Sequence, residues 1–279
     1  MTQNTTYAPS SPDMPVTNVA CIKWGTLFGP EYVNRLYSGV RRHIRGPVRF
    51  ICMTEHAQGI HPDVEILPLP VEPFHDAMNA ALAVANRQGA MRKVSLFRPG
   101  LIADLEGPVL GFDLDVVITG DLTPILELEP GKVAMRADWV EARRGRKTGH
   151  GSVFRFDPVA HPYLYHDLAA KPTQEVEIAR GSEQRYTSTK AQERGDYVYI
   201  PGDLVVSFKH DCLDLPPMNY LRAARMPENA RVVCFHGRPK MPEAVEGYSG
   251  SWLRYAKPCD WLQDHWIDRA TADLGAEWA

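Results

Sequence analysis

The stretch "GPVLGFDLDVVITGDL", residues 107–122, sets Asp113 and Asp115 one residue apart inside a run of Val, Leu, Ile and Phe. Two carboxylates in such surroundings are costly to desolvate, and each raises the pKa of the other, so the pattern demands a compensating positive charge. A divalent cation meets that demand most economically. Hard carboxylate oxygens suit Mg2+ or Mn2+ and leave coordination positions for substrate phosphates. An ion held there screens phosphate charge and stabilises a departing diphosphate. Taken alone, the same tripeptide also reads as an exposed loop between two strands.

Such a pair needs a rigid support, and the rest of the chain supplies the pattern of one. From Val19 short apolar runs alternate with helical spacing, which is the signature of an α/β layer fold. Strands are expected at residues 19–24, 48–53 and 64–70, then at the acidic stretch itself, and again at 132–138, 151–157, 196–201 and 231–235. Pro30 marks a helix start, and Val33, Leu36, Val40 and Ile44 follow on one face. Further helices are expected at 77–86, 91–97, 162–170 and 182–192, with a Trp-rich helical tail from Trp252. No internal repeat and no Gly/Ser linker divides the chain, so one domain with a mixed, mainly parallel sheet flanked by helices is the simplest organisation. In open sheets of this type ligands gather outside the carboxyl ends of the strands, where Asp113 and Asp115 stand.

Composition narrows the function classes. The chain has 279 residues, 44% hydrophobic and 23% charged, and its net charge of -3 argues against a general nucleic-acid binder. Basic runs at 41–45 ("RRHIR") and within 141–150 ("EARRGRKTGH") read as a solvated helix end and a polar loop. Five scattered cysteines show neither a C-x-x-C pair nor zinc spacing, as expected of reduced thiols in a cytoplasmic protein. Residues 1–17 carry neither the positive charge nor the apolar run of a targeting peptide and are expected to be a disordered lead. No segment has the roughly 18 continuous apolar residues of a transmembrane span.

The segment from Leu101 to Leu122 resembles the GT-A glycosyltransferases, and among them the glycogenin-like family eight or a close bacterial relative, whose motif has the form "LDxDVxVxGDL" against "FDLDVVITGDL" here. The family's upstream Arg or Lys resembles Lys93, and its sugar-contacting Asp resembles Asp138 in "AMRADW". Its "NxGxxxx" strand is similar to "GHGSVFRF", with His150 or Gly151 near the place of the Asn. The "DQ" pair is similar to Glu183-Gln184, and the late His with G-x-x-K resembles "CFHGRPKMP". In the family the His stands three residues before that Gly; here His236 directly precedes Gly237, and Cys234 holds the expected position. Residues 234 and 236 share one face of a strand, so either could approach the same ion.

The resemblance implies a GT-A domain over residues 18–250 and a tail over 251–279. It implies transfer of a hexose from a nucleotide diphosphate sugar, UDP-linked, to a hydroxyl of a glycan or other acceptor, with retention of configuration. Asp113, Asp115 and His236 would hold Mn2+ or Mg2+. Lys240 and the Gly237 N–H would bind the diphosphate. Lys23, Trp24, Gly25 and Thr26 would cradle the base, with Leu114 and Lys93 also on the donor. Asp138, Glu183 and Gln184 would line the reacting face. Asp203 is the one acid left as a base for an inverting reaction. Two other readings compete. A haloacid-dehalogenase-like phosphatase would use Asp113 as nucleophile, but "PGDLVVSFKHD" places its second acid, Asp211, too far from Gly202-Asp203, and three expected strands precede Asp113. A non-catalytic sugar-binding protein of the same fold is the other.

Overall fold

The computed structural model describes residues 14–269. Its strands are β1 (Thr17–Lys23), β2 (Val48–Thr54), β3 (Glu65–Pro68), β4 (Val109–Phe112), β5 (Val116–Ile118), β6 (Val133–Ala137), β7 (Gly149–Phe156), β8 (Tyr197–Ile200), β9 (Val205–Ser207) and β10 (Val232–Cys234). Seven of them form a sheet in the order β3-β2-β1-β4-β7-β6-β8, and β5-β10-β9 form a second, smaller sheet. In the larger sheet β7 runs antiparallel to both β4 and β6, and the remaining pairs are parallel. The expected α/β architecture with a mixed, mainly parallel sheet is therefore present.

Strand β1 shows why this sheet is central. Val19 and Cys21 pack into one apolar cluster while Ala20 and Ile22 pack into another, so both faces of the strand are covered. That is how an apolar run without polar alternation is used. The helix Pro30–His43 lies over the same layer as Val19: Val33, Leu36 and Val40 are buried at helical spacing, with Pro30 in the first turn and Arg41, Arg42 and His43 in the last. A third cluster, including Val117, Val206, Val233, Phe235 and Leu262, surrounds the small sheet.

The acidic stretch is not one interrupted strand. β4 pairs with β1 and β7 in the large sheet, whereas β5 pairs with β10 in the small one, and Asp113 to Asp115 is the turn where the chain passes between sheets. Leu110 and Phe112 before the carboxylates and Val116 and Ile118 after them share one apolar cluster, while Val117 on the opposite face of β5 packs into the third.

Other expectations need correction. Residues 91–97 give a 3-10 helix over Arg92–Phe97. "LVVS", read only as part of a competing motif, contributes β9, and the helix Pro172–Ile178 was not expected. Thr17, placed in the lead, opens β1, while residues 1–13 of that lead and 270–279 of the tail lie outside the described residues. Among the described residues the tail is helical only at the turn Trp252–Arg254 and at Asp260–His265. The basic run at 41–45 is not simply solvated, because Arg42 donates to the carbonyl of His265 at 2.6 Å.

Candidate active site

The turn after β4 puts Asp113, Leu114 and Asp115 on the wall of a cavity of about 830 Å³. The same cavity is lined by Trp24, Gly25 and Thr26 after β1, by Lys93 of the 3-10 helix, and by Ser182, Glu183 and Gln184 where the helix Glu183–Glu193 begins. Nine residues singled out from the sequence thus share one wall or another of a single cavity: Trp24, Gly25, Thr26, Lys93, Asp113, Leu114, Asp115, Glu183 and Gln184.

Each acidic side chain of this wall holds a lysine. Lys93 Nζ lies 2.8 Å from Asp113 Oδ1 and 3.3 Å from Glu183 Oε1, and it also donates to the Gly151 carbonyl at 2.9 Å. The Ser152 hydroxyl donates to the other Asp113 oxygen at 3.0 Å. Lys240 Nζ donates to Asp115 Oδ2 and, at 3.1 Å, to the Phe235 carbonyl. Burial disfavours the Lys93 ammonium, but Asp113 and Glu183 outweigh that loss and hold it above the ordinary lysine value. Burial raises Asp115 above the usual carboxylate range, and the like charge of Asp113 adds to this against Lys240. Burial likewise raises Glu183, which Lys93 opposes.

Local backbone chemistry places these groups. Gly111 pairs with Phe154 across β4 and β7, and a Cβ on Gly111 would meet the Phe154 ring at 2.2 Å. Its absence lets the ring cover the strand, and Lys93 Nζ sits 5.2 Å from the centre of that ring. Gln184 Oε1 accepts from the Gly151 N–H at 3.0 Å, and its amide donates to Asp138 Oδ2 at 3.1 Å. Asp138 caps the helix Trp139–Arg143 by accepting from the N–H groups of Val140 and Glu141. It is thus linked to the cavity through Gln184 but does not line it.

The other sequence candidates stand further off. Lys23 is buried at the end of β1 and Gly237 follows β10; neither is among the lining residues. His236 stacks on Trp139 with ring centres 4.9 Å apart, contacts His150 at 4.7 Å, and pairs its Nε2 with Ser207 Oγ at 2.9 Å. Burial, with neighbouring His150 and Lys209, lowers it to about 2. Cys234 is buried, and its thiol is pushed well up by burial and by the charges of Asp115 and Asp113. A thiol held protonated is a poor ligand for a hard ion. Asp203 accepts from the Asn229 amide at 3.2 Å and is not part of the cavity wall.

Whether a divalent ion fits rests on these side chains. Asp113 and Asp115 offer hard oxygens to one cavity, and the Lys240 ammonium already stands as a cation on Asp115. The two carboxylates fit the ion. The three-ligand set with His236 is not assembled: among the described residues no group of three or more His, Cys, Asp or Glu side chains is placed to hold a metal.

Sequence reasoning missed several residues of the site. Arg87, Arg92 and Phe28 also line the cavity, and Lys209 and Arg254 flank Gly237, where a Cβ would come within 3.2 Å and 3.9 Å of their side-chain nitrogens. The two extra lining arginines sit in "NRQGAMRK", beside Lys93, where two basic residues around a Gly were the available signal.

No protein-family model matches the chain, and no curated protein matches it in sequence. Solved structures do match. An active-site mutant of LgtC superposes with a TM-score of 0.54 at 14% identity, covering 81% of this chain and 89% of that one. The galactosyltransferase LgtC in complex with donor and acceptor sugar analogues gives a TM-score of 0.50 at the same identity. The glycosyltransferase GlyE of Streptococcus pneumoniae gives 0.54 at 12% identity, over 94% of this chain and 63% of GlyE. The fold is that of the GT-A glycosyltransferases. Within a GT-A fold, the turn between β4 and β5 occupies a carboxyl end of the central strands, where such folds bind ligands. Among the described residues no helix is long and apolar enough to cross a membrane.

Proposed function

We propose that this chain is a metal-dependent hexosyltransferase that takes its sugar from a UDP-linked donor and passes it, with retention, to a hydroxyl of a glycan or similar acceptor. The observation that carries this reading is the single cavity that gathers Trp24 to Thr26, Asp113 to Asp115, Lys93 and Gln184. The likeness to LgtC, solved with donor and acceptor sugar analogues, supports it at the level of the fold. The transferase unit is assigned to residues 18–250, and a cytoplasmic location accords with five free, buried cysteines.

Asp113 and Asp115 would hold Mn2+ or Mg2+, which would supply positive charge to the diphosphate. Trp24, 44% exposed at the cavity, offers a face for the base. Lys240, Lys209 and Arg254 supply cationic donors for the diphosphate around Gly237. Lys93 fixes Asp113 against Glu183, and Gln184 carries the position of Asp138 to the sugar. His236 joins the ion only by leaving Ser207 and Trp139.

The way the acids are used supports retention. Inversion needs a carboxylate base beside the acceptor hydroxyl. Asp113, Asp115 and Glu183 each hold a lysine, and Asp138 accepts two backbone N–H groups and the Gln184 amide. With none of these four acids free, the acceptor proton passes to the departing diphosphate. The test is a thermal-shift screen of nucleotide sugars with and without Mn2+, followed by proton NMR of the first product. Stabilisation by a UDP-sugar only with metal, and a product with the donor's anomeric coupling, is the expected outcome. Absence of metal-dependent stabilisation sinks the donor reading, and an inverted product sinks retention.

A further inference from the structure

The positive charge around the cavity exceeds what its own acids and a diphosphate use. Lys93 is spent on Asp113 and Glu183, and Lys240 on Asp115 and, in the proposed complex, on the diphosphate. Lys209 and Arg254 stand at Gly237, where the proposed function places the diphosphate. Arg87 and Arg92 also line the cavity, and among the described residues neither reaches a carboxylate at ion-pair distance. Arg92 is stacked over Trp24 at 4.8 Å and so belongs to the base side. Arg87 has no such use.

The backbone holds Arg87 in place. Its N–H donates to the Leu82 carbonyl at 2.8 Å, and its carbonyl accepts from Ala90 at 3.1 Å. Its stem lies on Gly181, where a Cβ would come within 2.8 Å of Arg87 Cγ, and Gly181 has a φ of +64°. Both the contact and the backbone call for glycine there. Gly181 leads directly into Ser182, Glu183 and Gln184, so Arg87 is seated against the wall that carries Gln184. A guanidinium in this position is a planar, permanently charged fork that matches a carboxylate or phosphate.

We infer that the sugar side of this site recognises an anionic substituent, a carboxylate or phosphate on the transferred sugar or on the acceptor, through Arg87. This rests on the transferase reading above. Calorimetry on the full chain with Mn2+ separates the two sources. The donor arm compares UDP-glucuronate with UDP-glucose. The acceptor arm, with UDP present, compares glucose 6-phosphate and glucuronate with glucose. In one arm the charged member binds about tenfold or more tighter, as a charge-assisted hydrogen bond implies. That ratio falls to within about twofold in Arg87→Ala, is partly kept in Arg87→Lys, and survives in Arg92→Ala. No charged preference in either arm, or a preference that survives Arg87→Ala, overturns the inference. Equal weakening of every ligand by Arg87→Ala also overturns it, since that marks a diphosphate contact. A wild-type chain that binds UDP in no condition removes the transferase reading itself and the inference with it.

Discussion

Two buried cations in this protein are held in opposite ways. Arg155, 2% exposed, points its guanidinium at the carbonyls of Ile125, Leu126, Leu128, Glu129 and Lys132. It satisfies the end of the short helix Thr123–Leu126 with neutral acceptors and nothing else. Lys93 is also largely buried, its side chain 14% exposed, but two of its partners are carboxylates and its surroundings open onto the cavity. The first arrangement is complete without a ligand. The second holds acids whose charge a substrate complex can also use, and this difference separates a structural cation from a functional one.

Substitution should expose that difference at its largest. Arg155→Met strands several buried carbonyls and should cost about 3 to 5 kcal/mol of stability in denaturant unfolding, with no recovery on adding ligand. Lys93→Met should lower kcat/KM by about 10² to 10³. It leaves Asp113 and Glu183 without their counter-charge but open to the cavity, so Mn2+ with UDP should restore much of the lost melting temperature. Ligand rescue of Arg155→Met, or none for Lys93→Met, breaks the comparison.

The contrast also explains what the sequence could reveal. Asp113 and Asp115 were legible because two carboxylates stood in an apolar run, Lys93 and Glu183-Gln184 only through the family resemblance, and the structure gathers all five around one cavity. Arg155 was not, because "VFRFD" offers an arginine in a strand and no hint that five distant carbonyls converge on it. The large sheet could be read from alternating apolar runs. The passage of 107–122 between two sheets could not, since a strand's apolar pattern does not name its partner. His236 shows the same limit. Its placement depends on Trp139 and Ser207, which are remote in sequence.

Lys240 tests the functional side of the comparison more finely. Its ammonium bonds Asp115, where it would compete with a divalent ion. Lys240→Ala should therefore tighten Mn2+ binding to the free protein by about tenfold while weakening UDP binding in the presence of Mn2+ by a similar factor. Calorimetric changes of the same sign for both ligands would show that Lys240 does not pass from the carboxylate to the diphosphate.

A smaller effect is expected at His236. Stacked on Trp139 and bonded to Ser207, it belongs with the structural groups in this geometry. His236→Ala should change Mn2+-dependent UDP affinity by less than the roughly tenfold that even outer-shell metal partners commonly cost. A larger loss in titration calorimetry would show that the imidazole turns to the ion on binding, restoring the three-ligand set that the sequence implied.

His43 sets the limit of the series, because it is a half-buried base whose enclosed ring nitrogens are given neither neutral acceptors nor acids. Both of its ring nitrogens are enclosed without a hydrogen-bond partner, and its ring centre lies 6.5 Å from that of His265. Burial lowers it to about 4, with the charges of Arg42, His265 and Arg231 acting in the same direction and Asp121 opposing them. The unfolded chain, with histidine near its ordinary value of about 6.5, then binds more protons than the folded one between those two pH values. This contribution to stability is complete above about 6.5, declines as the pH falls toward about 4, and changes no further below that. His43→Gln removes the titrating group, so the difference in unfolding free energy between wild type and variant should shrink across that window. A difference that stays constant from neutral pH to about 4 would mean that His43 charges inside the fold, and that a buried base here keeps its proton without a partner.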